Sequence, residues 1–290
     1  MQGFTHKTGE LISADGIRLF YQSWEKPDPR GIIVLSHGVG EHSSRYHNLL
    51  QAVNTDDIAV YALDHRGHGR SEGKRGHIMS FDQYLDDFDL LVKLAQTHNP
   101  GRPTIILGHS MGGVIAFKYI LKYGQNFAGL ILSSAGFKNK VEIPAWKTKA
   151  ALFLSKIWPS LSMPTGIESQ LLSHDKKVVQ AYSDDPLVHD LVSSRWYTEF
   201  IAAGEECLAR AGELKLPLLI IHGKGDGIVD YQGSTTVMEK AQSEDKEIHL
   251  FDDLYHETMN ETEQERNKVL KIISTWIVNH TSPSQEANEK

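Results

Sequence analysis

A strand that runs straight into a helix through a single serine is the strongest constraint this chain carries. Thr104, Ile105, Ile106 and Leu107 form a short apolar β-type run, and Gly108-His109-Ser110-Met111-Gly112 follows at once. Val114, Phe117 and Leu121, joined by Ile115, Tyr119 and Ile120, then repeat at helical spacing as far as Gly124, a helix stop. A serine on so sharp a turn is held in strained backbone, with its hydroxyl exposed and the helix NH groups beneath it. The flanking glycines meet a steric need, because a side chain at 108 or 112 would collide where strand and helix cross. A strand apolar throughout belongs in a parallel sheet covered on both faces. The bland alternative is a buried serine at an ordinary strand-to-helix junction, so the rest of the chain has to discriminate.

Residues 8–24 read as a hairpin turning at Asp15-Gly16. Apolar runs at 31–36, 58–63, 103–108, 128–133, 217–222 and 246–251 then alternate with helical periodicities. The alternation predicts an α/β fold with a mostly parallel central sheet and helices on both faces. Ser80 with Gln83, and Thr262 with Glu265, form capping-box patterns ahead of two amphipathic helices. The alternation lapses after Gly136, where helical patterns broken by Pro159, Pro164 and Pro186 replace it. The expected organisation is a core from 1–136 and 215–280, an inserted helical cap over 137–214, and a polar tail at 281–290. Within the cap, Trp146, Ala150, Phe153, Leu154, Ile157, Trp158, Leu161 and Met163 form an apolar face among Lys147, Lys149 and Lys156. That face either packs on the core, lines an acyl channel or touches a membrane surface.

The 290 residues carry 30 Lys+Arg against 37 Asp+Glu, a net charge of -7. With no basic stripe, this balance argues against a nucleic-acid partner. Cys207 is the only cysteine, which excludes an internal disulfide and fits a reducing compartment. The start lacks the basic and apolar segments of a secretory signal, and no apolar run approaches the roughly 20 residues that span a bilayer. A soluble, cytoplasmic protein, at most peripheral at membranes, is expected.

A serine hydroxyl attacks an ester only beside a base that is itself held by a third group. In a sheet of this type the chain order is serine, acid, histidine. Asp226, in the turn after Leu218-Leu219-Ile220-Ile221-His222, is the expected acid, with Asp230, four residues further and beyond Ile228 and Val229, its rival. His256, after the last strand-like run, is the expected base. The oxygen that turns negative on attack needs two NH donors. Met111 supplies one, and Val39 in His37-Gly38-Val39-Gly40 is the candidate for the second, unless that segment is merely a turn needing two glycines. His256-Glu257-Thr258-Met259-Asn260 lacks a second zinc-spaced histidine, and Asp64, His65 and His68 lack a further ligand cluster. No Gly-x-Gly-x-x-Gly follows an early strand, so neither a metal nor a dinucleotide cofactor is expected.

His37-Gly38-Val39-Gly40-Glu41-His42-Ser43-Ser44-Arg45-Tyr46, Asp64-His65-Arg66-Gly67-His68-Gly69-Arg70-Ser71, Gly108-His109-Ser110-Met111-Gly112-Gly113 and Tyr255-His256-Glu257 occur in that order. Together they resemble the monoacylglycerol lipase and lysophospholipase group of α/β-hydrolases, over most of the chain. The resemblance implies a serine esterase acting on a single acyl chain, with the cap roofing an acyl tunnel. It also implies that Glu41 and Arg45 lie at the head-group end, where the alternative is a salt bridge bracing the loop. One departure is Met259, where some relatives carry a further histidine. A carboxylesterase for short or aromatic esters and a noncatalytic lipid- or partner-binding protein are the competing expectations.

Overall fold

Six-residue runs with almost nothing polar to offer water have to be covered on both sides, and the sheet is built to do that. The computed structural model describes residues 3–140 and 145–282, with side chains at 3–140 and 149–282. Strands β1 (Thr5–Ile12) and β2 (Arg18–Glu25) make the antiparallel hairpin, with Gly16 at φ 85° in its turn. The other sheet strands before the intervening segment are β3 (Gly31–Ser36), β4 (Ile58–Leu63), β5 (Thr104–His109) and β6 (Gly129–Ser133). Among the described residues, the intervening segment adds the short antiparallel pair β7 (Ser162–Pro164) and β8 (Leu191–Ser193). Strands β9 (Leu218–Gly223) and β10 (Lys246–Phe251) then return to the sheet, whose order is β1-β2-β4-β3-β5-β6-β9-β10. From β4 to β10 in that order the neighbours are parallel.

Period-two alternation sorts the side chains between two cores. Ile32, Val34, Ile106, Leu130 and Leu132 face one core, with helices α2 (Asp82–His98) and α3 (Met111–Tyr123). Ile33, Leu35, Ile105, Leu107 and Ile131 face the other, with α1 (His47–Val53) and α8 (Glu263–Thr281). Each such side chain contributes roughly 1.5–3 kcal/mol by leaving water.

The two helix starts differ. The Gln83 side chain accepts from Ser80 N at 3.3 Å, one half of a capping box, while the Ser80 hydroxyl accepts from Asp82 N instead of Gln83 N. Thr262 makes no side-chain cap. Its backbone NH is taken by the wholly buried Glu261 carboxylate, which also accepts from the backbone of Tyr255 and His174, while Glu265 pairs with Lys268.

Between β6 and β9 lie α4 (Ala145–Ile157), α5 (Lys176–Asp184) and α6 (Ser194–Arg210); α7 (Gln232–Lys240) follows β9. Helix α6 buries Trp196, Ala203 and Cys207 in the core, and the Trp196 indole donates to Tyr84 Oη at 3.1 Å. Helix α4 reaches the molecule through α6, with Arg195 donating to Ser155 O at 2.9 Å. Phe153, Ile157 and Trp158 do not pack on the core but stand 62, 62 and 58% exposed, as does Leu152 at 50%. Trp146 and Lys147 lie outside the described side chains, and residues 283–290 of the expected tail outside the described residues. No described helix is long and apolar enough to cross a membrane.

Candidate active site

Parallel strands deliver their following loops to one edge, and the chemistry-bearing residues gather there. Ser110 joins β5 to α3 at φ 54° and ψ −120°, a conformation costing a non-glycine residue roughly 1–3 kcal/mol. Hydrogen bonds hold it: Ser110 N donates to Ser133 O at 3.0 Å, and Ser110 O accepts from Gly113 N and Gly136 N. A Cβ on Gly112 would lie 2.0 Å from Ser36 O, and one on Gly108 2.3 Å from Gly112 O. The two glycines therefore let the helix backbone sit on the strand, as their spacing suggested.

Ser110 Oγ lies 2.9 Å from His256 Nε2, and His256 Nδ1 lies 2.7 Å from Asp226 Oδ2. All three residues are buried. The Asp226 turn folds over its own carboxylate, so that Ile228 N and Val229 N donate to Oδ1 at 2.8 and 2.9 Å. Burial alone would raise this carboxyl, but the His256 and His222 rings hold it far below the usual range. Burial likewise works against protonation of His256, and the Asp226 charge outweighs it, so His256 is raised above its ordinary value. Asp230 points elsewhere, pairing with Lys138 at 2.7 Å and accepting from Gln232 N. The sequence left the two acids as rivals; the structure brings only Asp226 to His256.

The loop after β3 is tied down by Glu41. Its Oε1 accepts from Gly38 N at 2.7 Å and Tyr46 Oη at 2.8 Å, and its Oε2 accepts from Arg45 at 2.9 Å. Arg45 also donates to both Glu257 oxygens, at 2.6 and 2.9 Å, under the Tyr182 ring. Burial pushes Glu41 up, yet Arg45 and the neighbouring groups hold its carboxyl down at about 2. Among the described residues neither Val39 N nor Met111 N donates to a protein acceptor. Asp64 serves the same loop, accepting from Ser43 N and Arg70 N.

Glu41, Arg45, Val39, His109, Tyr182 and Glu257 line a cavity with Ser110 and His256, together with Ile167 and Leu172. Its volume is about 20 Å³, room for one water. Among the described residues, this cavity is too small for the acyl chain that the resemblance implies. Glu257 and His222 are among the site residues that escaped the sequence reading. Glu257, next to His256, encloses Arg45 from the far end of the chain. His222, the strand-end residue four before Asp226, contacts its Oδ2 at 3.2 Å. A histidine at i−4 from the acid was the available signal.

Buried neutral histidines make the fold acid-sensitive. Burial depresses His37, His65, His68 and His109, the last to about 4. In the unfolded chain such groups take up protons below pH ~6.5, so their contribution to stability is lost as pH falls from there toward the folded values. For His109 alone the loss is roughly 3 kcal/mol. His256, raised in the fold, works in the opposite sense: its contribution is present below ~6.5 and lost as pH rises. Four depressed rings outweigh one, and Glu41 adds a loss between ~4.5 and about 2. Urea unfolding midpoints at pH 7 and pH 4.5 are expected to differ markedly, with the acid value lower; equal midpoints would refute this.

A family model described as Serine aminopeptidase, S33, matches residues 27–263. The chain is 36% identical to the monoacylglycerol lipase of Mycolicibacterium smegmatis over 282 residues, which are 97% of this chain and 100% of that protein. It is 33% identical to the monoglyceride lipase of Homo sapiens over 281 residues, 96% of this chain and 92% of that one. The crystal structure of Paleococcus ferrophilus monoacylglycerol lipase superposes with a TM-score of 0.81 at 30% identity, covering 95% of this chain and 99% of the other.

Proposed function

The chain belongs to the Serine aminopeptidase, S33, family, as a serine hydrolase with the α/β-hydrolase fold, and from that premise we propose that it hydrolyses monoacylglycerols through an acyl-enzyme intermediate on Ser110. The observation that carries the reading is the hydrogen-bonded line from Ser110 Oγ through His256 to Asp226. Ser110 Oγ attacks the ester carbonyl carbon while His256 Nε2 takes its proton, and Asp226 steadies the resulting imidazolium. Val39 N and Met111 N donate to the oxyanion, each worth roughly 3 kcal/mol in the transition state. His256 returns the proton to the departing glycerol oxygen. Water, deprotonated by His256, then attacks the acyl carbonyl, and Ser110 leaves with a proton as the fatty acid is released.

The head-group preference follows from charge. Two buried carboxylates, Glu41 and Glu257, enclose one guanidinium, so the polar end of the cavity is net negative. Glycerol hydroxyls donate to carboxylate oxygens, whereas the phosphate of a lysophospholipid meets like charge and a guanidinium already engaged. Residues 137–214 act as the cap. The exposed Leu152, Phe153, Ile157 and Trp158, flanked by Lys149 and Lys156, are the surface through which it meets lipid aggregates.

One panel tests this. Monoacylglycerol in vesicles is expected to exceed lysophosphatidylglycerol in kcat/KM by at least about tenfold, a difference of ~1.4 kcal/mol. Phe153→Asp combined with Trp158→Asp is expected to lower activity on vesicles but not on a monomeric ester. The small cavity supports a second reading, an esterase for short acyl groups. An acetyl-to-palmitoyl glyceride series that peaks at acetyl would replace the first reading with the second.

A further inference from the structure

Asp226 is held from behind by a second histidine, and we infer that His222, with its tautomer set by Ser234, is a positioning residue for the acid. The inference rests on the reading of Ser110, His256 and Asp226 as the catalytic groups. His222 is the penultimate residue of β9, fully buried; its Nε2 lies 3.2 Å from Asp226 Oδ2 and its Nδ1 lies 2.8 Å from Ser234 Oγ. Ser234 is itself buried, in the first turn of α7.

The proton positions follow from chemistry. Asp226 is ionised and accepts only, so the nitrogen facing it must carry hydrogen. With the ring neutral, Nδ1 is then an acceptor, and the Ser234 hydroxyl donates to it. The opposite tautomer would set an Nε2 lone pair against a carboxylate oxygen in a dry interior. Ser234 thus fixes His222, and His222 fixes Asp226.

A carboxylate has about four in-plane acceptor positions. Here Ile228 N and Val229 N occupy Oδ1, while His256 Nδ1 and His222 Nε2 share Oδ2. With three donors built into the β9-α7 region, the carboxylate cannot swing, and its remaining direction is aimed at His256. A neutral donor does this without adding charge, which leaves the full negative charge to stabilise the imidazolium. A cation in its place would oppose that imidazolium.

The test uses the full chain and a soluble ester. His222→Leu is expected to lower kcat by about tenfold to a hundredfold, as for loss of a hydrogen bond to a charged group, with KM unchanged. Because a carboxylate with one donor fewer holds its charge more strongly toward His256, the acid limb of kcat/KM should move to higher pH. His222→Gln, which restores an N–H at similar reach, is expected to recover most of kcat and the original limb. Ser234→Ala, which keeps the ring but frees its tautomer, should show a smaller loss in the same direction. Melting midpoints of the four proteins report folding separately. Equal losses in the Leu and Gln variants, or an acid limb that stays in place, would overturn the inference. Full activity in His222→Leu, with Ser110→Ala dead, would overturn it while leaving the proposed function standing.

Discussion

Ser110→Ala is expected to lower kcat by about 10⁵ to 10⁶-fold with KM nearly unchanged, the loss seen when the nucleophile of such a constellation is removed. The effect is chemical because the variant keeps the architecture. Gly108 and Gly112 still let β5 and α3 cross, and the backbone bonds from Ser110 N to Ser133 O and from Gly113 N and Gly136 N to Ser110 O remain. What disappears is the hydroxyl 2.9 Å from His256 Nε2. Loss of that one neutral hydrogen bond costs about 1 kcal/mol of stability, so the circular-dichroism spectrum should be unchanged. A fluorophosphonate should label the parent protein stoichiometrically and the variant not at all. Labelling of Ser110→Ala, or a residual kcat above one per cent of the parent, would remove Ser110 from the mechanism.

Asp226→Asn is expected to cost about 10⁴-fold in kcat, the magnitude associated with forcing the base into the wrong tautomer. All of the contacts to this carboxylate come from donors: Ile228 N and Val229 N on one oxygen, His256 and His222 on the other. An amide puts an NH₂ group against one of these pairs. If it faces His256, the Nδ1 proton must leave, Nε2 becomes the N–H, and the ring turns a donor toward Ser110. Asp230→Asn supplies the control. Among the described residues that side chain pairs with Lys138 and accepts from Gln232 N, and weakening an ion pair of this kind is expected to cost about 0.5 kcal/mol and no activity. Matching losses in the two variants would show that the effect comes from the loop rather than from the carboxylate facing His256.

The two acids also mark how far one chain can be read. Asp226 and Asp230 lie in the same loop, both within reach of the end of β9, and loop length favoured the nearer without deciding the case. Ile228 N and Val229 N turn the Asp226 carboxylate inward, a consequence of local backbone path that residue identities do not spell out. The Thr262 cap failed for a related reason. A capping box is a contact among four consecutive residues, but the buried Glu261 carboxylate competes for the same NH and wins because it also closes the Tyr255 and His174 backbones.

By itself the sequence determined the strand-serine-helix junction and the central sheet with its alternating strands, because each depends on neighbours close along the chain or on strict periodicity. The tertiary structure alone decided that Glu257 closes on Arg45 across more than 200 residues, that the outer face of α4 meets solvent instead of the core, and that the space over Ser110 is one water wide. Those outcomes depend on where separate elements come to rest against one another, and packing between elements distant in sequence leaves no periodic trace in either of them.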